Sequence, residues 1–310
     1  MADIQHLRTA HYNSVLEELR LVHADLGVFR VRPDDGPLDF EPGQYTVLGL
    51  GTWECRVTGT QLEPTESAAA ETLIQRAYSI SCPLLDRAGI LQRANGASVL
   101  EFYVTLVRHA AKPPALTPRL FALQPGARLY CGPRAHGHYS LAGVLPDQTV
   151  VFAATGTGEA PHNAMLAELL SRGHRGQIVM VTCARYQRDF GYIEEHRRLE
   201  RRFANYRYLP LTTRERENLD PQAAGYTGKR YLQDYFASGA FEVDSDCHLD
   251  ASSTHIFLCG APDMIGVPRR THDVEQRYPQ PRGMVEVLEG RGFQIDLPHA
   301  PGRLHFEKYW

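Results

Sequence analysis

The sequence predicts a two-domain protein, an antiparallel β-barrel followed by an α/β domain built on a parallel sheet. Residues 1–145 contain short strand-like runs separated by turn signals such as RPDDGP and EPGQY, a pattern typical of antiparallel barrels and sandwiches. Residues 146–310 alternate apolar runs with amphipathic stretches, which is typical of a parallel sheet covered by helices on both faces. The pattern changes near Leu145, Pro146 and Asp147.

Length and composition agree with this organisation. The chain has 310 residues, and one hydrophobic core rarely grows beyond about 250 residues. Hydrophobic residues make up 43%, charged residues 22%, and the formal net charge is -3. We therefore expect a globular protein without the overall positive electrostatic potential that would attract nucleic acid. Without an apolar run of about 18 residues or a signal-peptide core, we predict a cytoplasmic protein that does not enter the membrane, with a monomer as the default.

The first domain is predicted to consist of short strands with one short helix. The helix candidate is TPRLFAL (117–123), and GTQLEPTESAAAETLIQ (59–75) is predicted to be a polar surface insertion. The predicted strands are SVLEELRLV (14–22), LGVFRVRP (26–33), QYTVLGL (44–50), ECRVTGTQL (54–62), RAYSISC (76–82), SVLEFYVTLV (98–107), ARLYCGP (127–133) and HYSLAG (138–143).

The second domain is predicted to begin with a strand, a glycine turn and a helix within residues 148–173. The following elements are a strand at QIVMVTCAR (177–185), a helix at FGYIEEHRRLERRFA (190–204), a strand at YRYLPLTT (206–213), a helix at KRYLQDYFAS (229–238) and a strand at THIFLCG (254–260).

Two strand ends in the second domain suggest a ligand site. Gly156 and Gly158 lie where an apolar strand meets a helix, and a helix N-terminus offers N–H donors and positive partial charge to a phosphate. A bare T-G-T-G is also compatible with an ordinary strand-to-helix turn. The Cys259–Pro262 turn follows another strand, and ligands collect at the carboxyl ends of parallel strands. The two turns are therefore expected to line one crevice.

The cysteines argue against a metal cluster. They are scattered, without a C-x-x-C pair, so an iron–sulfur or structural zinc site is not expected and electron transfer would need an organic cofactor. The six are Cys55, Cys82, Cys131, Cys183, Cys247 and Cys259.

RAYS (76–79) is the distinctive segment of the first domain. On a strand, Arg76 and Tyr78 project to one face while Ala77 and Ser79 project to the other. This arrangement can bracket a flat anionic ligand, or it can be a half-buried strand edge with a snorkelling arginine.

Taken together, the motifs resemble those of the ferredoxin-NADP reductase family. The match rests on R-x-Y-S at 76–79, G-T-G-x-A-P at 156–161 and C-G-x-P at 259–262, in order over nearly the whole chain except 59–75 and parts of 240–254. Within that family, LTPRL, TTRE followed by GKRYLQ, and the terminal EKYW look closest to the ferredoxin/flavodoxin reductases.

The resemblance implies that the first domain binds FAD. Arg76 would neutralise the pyrophosphate, Tyr78 would pack against the isoalloxazine, and Ser79 would hydrogen-bond near flavin N5. The other implied FAD contacts in this domain are Ala77, Phe102, Tyr103, Val104, Leu116 and Thr117. GHYSL (137–141) departs from the family's turn at that place.

The resemblance further implies NADP(H) in the second domain. Cations around the adenosine 2′-phosphate would favour NADP(H) over NAD(H). The implied nucleotide contacts are Thr155, Gly156, Thr157, Gly158, Arg185, Thr213, Arg214, Lys229, Tyr231, Cys259 and Gly260. Glu159 and His162 stand where the family generally has apolar residues, and we expect Glu159 to cap the helix or face solvent.

The resemblance also assigns the C-terminal residues and the reaction. Tyr309 would stack on the flavin where nicotinamide must sit, with Trp310 extending that contact. Ser79, Cys259, Glu307 and Tyr309 form the implied catalytic set. Hydride would pass from NADPH to flavin N5, and electrons would leave singly to a separate ferredoxin or flavodoxin.

The basic residues Arg87, Arg93, Lys112 and Arg134 would help to form a docking patch for such an acidic carrier. Three other functions stay open: an NAD(P)H reductase serving an oxygenase or small acceptors, a non-catalytic flavin-binding regulatory subunit, and an FAD-free binding module.

Overall fold

The chain divides into two compact units, residues 1–140 with 163–168 and residues 141–162 with 169–310. The structure is a computed structural model that describes residues 4–64, 71–94, 96, 98–271 and 274–308. The domain boundary at residues 145–146 stays a prediction. Within the described ranges, no helix is both long and apolar enough to cross a membrane.

The first unit is built on antiparallel strands, which confirms the predicted fold. The helices described in it are α1 (Ile4–His11) and α2 (Thr117–Leu120). The strands are β1 (Ser14–His23), β2 (Leu26–Pro33), β3 (Tyr45–Gly51), β4 (Leu73–Ser79), β5 (Leu100–Thr105) and β6 (Arg128–Cys131).

These strands form a six-stranded sheet in the order β4-β3-β6-β1-β2-β5. His23 pairs with Leu26, so a two-residue turn joins β1 to β2, a connection that antiparallel neighbours allow. The Ser81 N–H donates to the Glu101 carbonyl at 2.8 Å in an antiparallel bridge. This bridge joins the continuation of β4 to β5, the strands at opposite ends of the order, and so closes the sheet into a barrel. Fully buried side chains such as Phe29 fill its core.

The strand predicted over residues 54–62 is wrong, and the sequence does not predict α1. Both differences have one cause. The Arg8 guanidinium reaches across 46 positions to the Glu54 carboxylate, with an N–O distance of 2.6 Å. Tyr12 donates to the same carboxylate at 3.0 Å. Glu54 is buried, so this ion pair anchors α1 and holds the segment after β3 in a turn instead of a ladder.

The polar surface insertion predicted over residues 59–75 is also wrong at both ends. The Glu63 side chain is only 8% exposed and pairs with Arg119 and Arg56, each at 2.7 Å. Residues 73–75 belong to β4, and residues 65–70 lie outside the described residues.

The strand predicted over residues 138–143 is likewise wrong. Tyr139 and Leu141 are buried, which accounts for the alternating pattern. The backbone pairing in this region is an isolated bridge between His136 and Tyr45, before the segment begins.

The second unit begins with a strand, a turn and a helix, as its pattern predicts. Single 3₁₀ turns are described at Gly156–Gly158 and Gln187–Asp189. The strands are β7 (Thr149–Thr155), β8 (Ile178–Ala184), β9 (Tyr206–Thr212), β10 (Thr254–Gly260), β11 (Arg269–Thr271), β12 (Val274–Arg277) and β13 (Leu304–Lys308). The helices are α3 (Glu159–Ser171), α4 (Ile193–Arg202), α5 (Arg216–Leu219), α6 (Leu232–Ala237), α7 (Ala240–Ser245), α8 (Pro262–Ile265) and α9 (Met284–Glu289).

A five-stranded parallel sheet, ordered β13-β10-β7-β8-β9, forms the centre of this unit. Every residue of β8 and β10 is buried, as expected for strands covered on both faces. β9 is an outer strand, and its Pro210 is opposite Thr182 of β8. The α6 helix begins three residues later than the predicted stretch, after Lys229, Arg230 and Tyr231.

Candidate functional site

The turn between β7 and α3 has a backbone that requires glycine. Gly156 has a φ of +53°, in the left-handed region that favours glycine. A Cβ added to Gly158 would lie 2.3 Å from the carbonyl oxygen of Cys259. The strand end and the first turn of α3 therefore come together through residues that carry no side chain, which leaves the backbone open to a bound group.

The end of β10 lies directly beside this turn. The Ala261 N–H donates to Thr155 Oγ1 at 2.9 Å. Gly260 has a φ of +133°, and an added Cβ would lie 2.2 Å from the same Thr155 oxygen. Thr157 is part of the same turn. The turn residues Thr155–Gly158 therefore lie next to Cys259 and Gly260 at the carboxyl edge of the sheet.

Cys259 and Glu307 are neighbours across two parallel strands. They are register partners in β10 and β13. The Cys259 side chain is fully buried, while Glu307 is half-buried. Desolvation raises the pKa of the Glu307 carboxyl above its ordinary value, which makes it better able to hold a proton near neutral pH.

Two cations follow the neighbouring strands β8 and β9. The Thr213 N–H donates to the Ala184 carbonyl at 3.1 Å, and the Arg214 N–H donates to the Arg185 carbonyl at 2.9 Å. These bonds hold the two strand ends side by side. The Arg185 and Arg214 side chains are both exposed. Thr213 is buried, and its hydroxyl also donates to Ala184.

The segment before α6 adds a third cation to this edge. The Cys183 thiol, near the end of β8, donates to the Arg230 carbonyl at 3.6 Å. The flanking Lys229 and Tyr231 are exposed. In the described part of the chain, Arg230 pairs with Asp244 at 3.4 Å, whereas Lys229 forms no ion pair. Positive charge is thus concentrated around the ends of β8 and β9, where an anionic ligand would meet it.

Glu159 differs from the sequence expectation, because it neither caps the helix nor faces solvent. It is 1% exposed, and its Oε1 atom accepts hydrogen bonds from Tyr208 at 2.9 Å and from His196 at 3.0 Å. His162 is fully buried, with its ring 4.9 Å from that of Phe152. Burial lowers the pKa of His162 to about 3, so this ring is neutral at ordinary pH.

Sequence reasoning missed His196 and Tyr208 as part of the site. His196 lies in the stretch EEHRRLERRF, which has the composition of a solvated helix. The available signal was Glu159 itself, because a carboxylate in an apolar strand–turn–helix segment needs partners if it is buried.

In the first unit, RAYS occupies the end of β4. Arg76 and Ala77 are exposed, Tyr78 is half-buried and Ser79 is buried. The Arg76 guanidinium donates to the Gln75 carbonyl at 2.7 Å. Desolvation raises the pKa of the Tyr78 phenol well above its ordinary value. Arg76 is therefore an accessible cation beside an aromatic ring.

The other residues assigned to FAD surround β5. Phe102, Tyr103 and Val104 are buried within this strand, and Leu116 is buried just before α2. Thr117 is half-buried, and its Oγ1 atom accepts from the Val107 N–H at 3.1 Å. Because the Ser81–Glu101 bridge joins the continuation of β4 to β5, the RAYS segment and these residues belong to neighbouring parts of the barrel.

Comparisons with known proteins cover both units. Residues 152–270 match the family model described as oxidoreductase NAD-binding domain. The flavodoxin/ferredoxin–NADP reductase of Escherichia coli is 28% identical over 230 residues, 74% of this chain and 77% of the relative. The ferredoxin–NADP reductase A of Sorangium cellulosum is 27% identical over 72% of this chain and 73% of its own.

The chain is thus similar to flavodoxin/ferredoxin–NADP reductases over about three-quarters of its length.

A solved structure supports this fold over almost the whole length of the chain. The ferredoxin NADP⁺ reductase of Neisseria gonorrhoeae, determined with bound FAD and NADP, has a TM-score of 0.69 and 18% identity, covering 96% of this chain and 98% of that one. The NAD-binding match contains the glycine turn, Arg185, Arg214, Lys229 and Gly260. Tyr309 and Trp310, predicted to stack on the flavin, lie outside the described residues.

Proposed function

We propose that this protein is an FAD-dependent oxidoreductase that exchanges electrons between NADP(H) and a one-electron carrier, ferredoxin or flavodoxin. The names of relatives that match about three-quarters of the chain support this activity. The residues of both units are compatible with the two ligands.

The observation that carries the proposal is the combination of a glycine turn and exposed cations at one edge of the second unit. At Gly158 and Gly260 an added Cβ would collide with neighbouring atoms, and at Gly156 it would be strained by the positive φ. Arg185 and Arg214 lie at the ends of the next two strands. A pyrophosphate would lie at the glycine turn, and an additional 2′-phosphate would take charge-assisted bonds from the cations. A 2′-hydroxyl cannot accept such bonds equally well, so NADP(H) is preferred over NAD(H).

The first unit offers groups suited to FAD. The exposed Arg76 would bind the pyrophosphate through its planar fork of donors, and the Tyr78 ring would pack on the flexible chain or the ring system of the cofactor. The Thr117 segment would add backbone and hydroxyl contacts. When bound, FAD supplies the redox chemistry, because it can take a hydride and give up electrons one at a time.

The residues of this chain would orient and protonate, and would not form covalent bonds. Ser79 would donate a hydrogen bond to the ring system, and the buried Cys259 would pack beside the nicotinamide. Glu307, with its raised pKa, would hold or release a proton at its carboxyl group. Tyr309 would cover the ring until nicotinamide replaces it, and Trp310 would extend that surface.

The proposal includes a separate acidic carrier, a monomer and a cytoplasmic location. Arg87, Arg93, Lys112 and Arg134 are exposed in the first unit and would contribute to carrier docking. Gel filtration of the holoprotein tests the monomer, and cell fractionation tests the location.

Anaerobic titration of the purified yellow protein tests the activity. NADPH is expected to bleach the flavin absorbance at far lower concentration than NADH. Ferredoxin or flavodoxin added afterwards should restore that absorbance. A colourless protein, or a flavin that NADPH leaves oxidised, would contradict the enzyme assignment and favour the binding-module or regulatory alternative. Turnover with ferricyanide or quinones but with neither protein carrier would instead favour the oxygenase-type reductase.

A further inference from the structure

A buried carboxylate lies immediately behind the glycine turn. Glu159 is the first residue of α3 and directly follows Gly158. Placing a carboxylate where only 1% of the side chain is exposed is costly unless hydrogen bonds compensate. An apolar side chain would avoid that cost, so the bonds made by Glu159 need an explanation.

Those bonds join the start of α3 to three other elements. Oε1 of Glu159 accepts from Tyr208 of β9 at 2.9 Å, from His196 of α4 at 3.0 Å and from Thr182 of β8 at 3.3 Å. The contact set therefore ties the turn to the sheet and to the helix that covers it.

The His196 ring links Glu159 to a further tyrosine. Its Nδ1 atom lies 2.9 Å from the Tyr206 hydroxyl, and its Nε2 atom lies 3.0 Å from Glu159 Oε1. The Tyr208 ring stacks on the imidazole with centroids 4.1 Å apart, which fixes the orientation of both donors. The imidazole is thus held at both ring nitrogens and on one ring face.

The opposite side of the turn is held by β10. Thr155 accepts from the Ala261 N–H, and Gly158 packs directly on the backbone of Cys259. The turn is consequently held on one side by backbone contacts and on the other by the Glu159 network. Losing either side would let the pyrophosphate-facing backbone move, and a displacement of about 1 Å is enough to weaken a positioned contact greatly.

We propose that Glu159 is a positioning residue for the pyrophosphate of the nicotinamide nucleotide, holding the glycine turn in place through its hydrogen bonds to β8, β9 and α4. This inference rests on the proposed function, since it presupposes that NADP(H) binds at the turn. It assigns a role to a charged side chain that neither the glycine motif nor the cation cluster explains.

Two ligands separate this role from a general structural one. NADP⁺ carries both the pyrophosphate and the 2′-phosphate, whereas adenosine 2′-monophosphate (2′-AMP) carries only the phosphate that the cations would bind. Calorimetric titration of the FAD-loaded protein measures the Kd of each. For Glu159→Leu, the Kd for NADP⁺ is expected to rise about tenfold, and the Kd for 2′-AMP to stay within about twofold.

Two variants and one control make the result decisive. Glu159→Gln keeps an oxygen that accepts from Tyr208 and His196, so both Kd values should stay within about threefold of wild type. Tyr208→Phe removes a single donor and should raise the Kd for NADP⁺ about threefold, which tests the proposal even when Glu159→Leu fails to fold. Ser245→Ala removes a buried hydrogen bond to Phe241 at the end of α7 and should change neither Kd.

The contrary outcomes are distinct. Folded Glu159→Leu with wild-type affinity for NADP⁺, or with equal losses for both ligands, would overturn the positioning role. When Glu159→Leu does not fold, an unchanged Kd for NADP⁺ in Tyr208→Phe overturns it. Wild-type protein that binds neither ligand would overturn the proposed function and this inference together, whereas the preceding results leave the proposed function intact.

Discussion

Gly158→Ala would place a methyl group against backbone atoms that cannot rotate away. The added Cβ would lie 2.3 Å from the Cys259 carbonyl oxygen, while ordinary contact begins at 3.4 Å. The turn or β10 must therefore shift by about 1 Å, a displacement that can reduce catalytic efficiency on the order of 100-fold when it misplaces a bound substrate. Overpacking of this kind also destabilises a protein by about 1–3 kcal/mol. For a unit of this size the melting temperature should fall by roughly 2–12 °C.

Gly173→Ala is the matched control, because it makes the same change just after the other end of α3. Gly173 has a φ of +69° but no atom within 4 Å of an added Cβ. We expect it to cost about 1–2 kcal/mol in backbone strain and to leave the KM for NADPH unchanged. Scanning calorimetry and NADPH-ferricyanide kinetics measure both quantities. A Gly158→Ala protein with the melting temperature and kcat/KM of the wild type would refute the close-packing argument.

Three further predictions concern charge. Arg214→Ala should raise the KM for NADPH about tenfold or more and change the KM for NADH by no more than about twofold, because only the 2′-phosphate loses a charged hydrogen bond. Equal rises in the two KM values in steady-state assays would count against this site. Arg119→Met should lower the free energy of unfolding by about 3 kcal/mol in urea titrations, because it leaves the buried Glu63 carboxylate without its main partner, and adding Glu63→Gln should recover part of that loss. Burial lowers the pKa of His255 to about 4, below its unfolded value of about 6.5. As the pH falls, the unfolded state therefore binds a proton before the folded state does. The free energy of unfolding should decrease between about pH 6.5 and about pH 4. His255→Asn should flatten the urea-unfolding profile over that pH window, and an unchanged slope would show that another group is responsible.

The parts that the sequence predicts well are those governed by local pattern. The continuous apolar runs at β7, β8 and β10 leave few alternatives to a buried parallel sheet, and the fold prediction is confirmed. The glycines between β7 and α3 are needed by local backbone geometry, so their place at a strand end is visible from their neighbours alone.

The wrong predictions involve pairs that are distant in the chain. Nothing near Glu54 in the sequence indicates that Arg8 will reach it and hold α1, so the alternating residues after β3 were consistent with a strand. The sequence predicts that Glu159 caps its helix or faces solvent, and it does neither because its partners, His196 and Tyr208, come from elements far along the chain. A buried polar group is predictable only when its partners are known, and tertiary structure supplies them.

Pro210 has a consequence for how the molecule meets copies of itself. It lies in β9, at the rim of the parallel sheet, and a proline has no N–H to offer an incoming strand. A strand of a neighbouring chain that paired with β9 there would lack one backbone hydrogen bond. This border is thereby protected against edge-to-edge association, and Pro210→Val would remove that protection without touching the glycine turn.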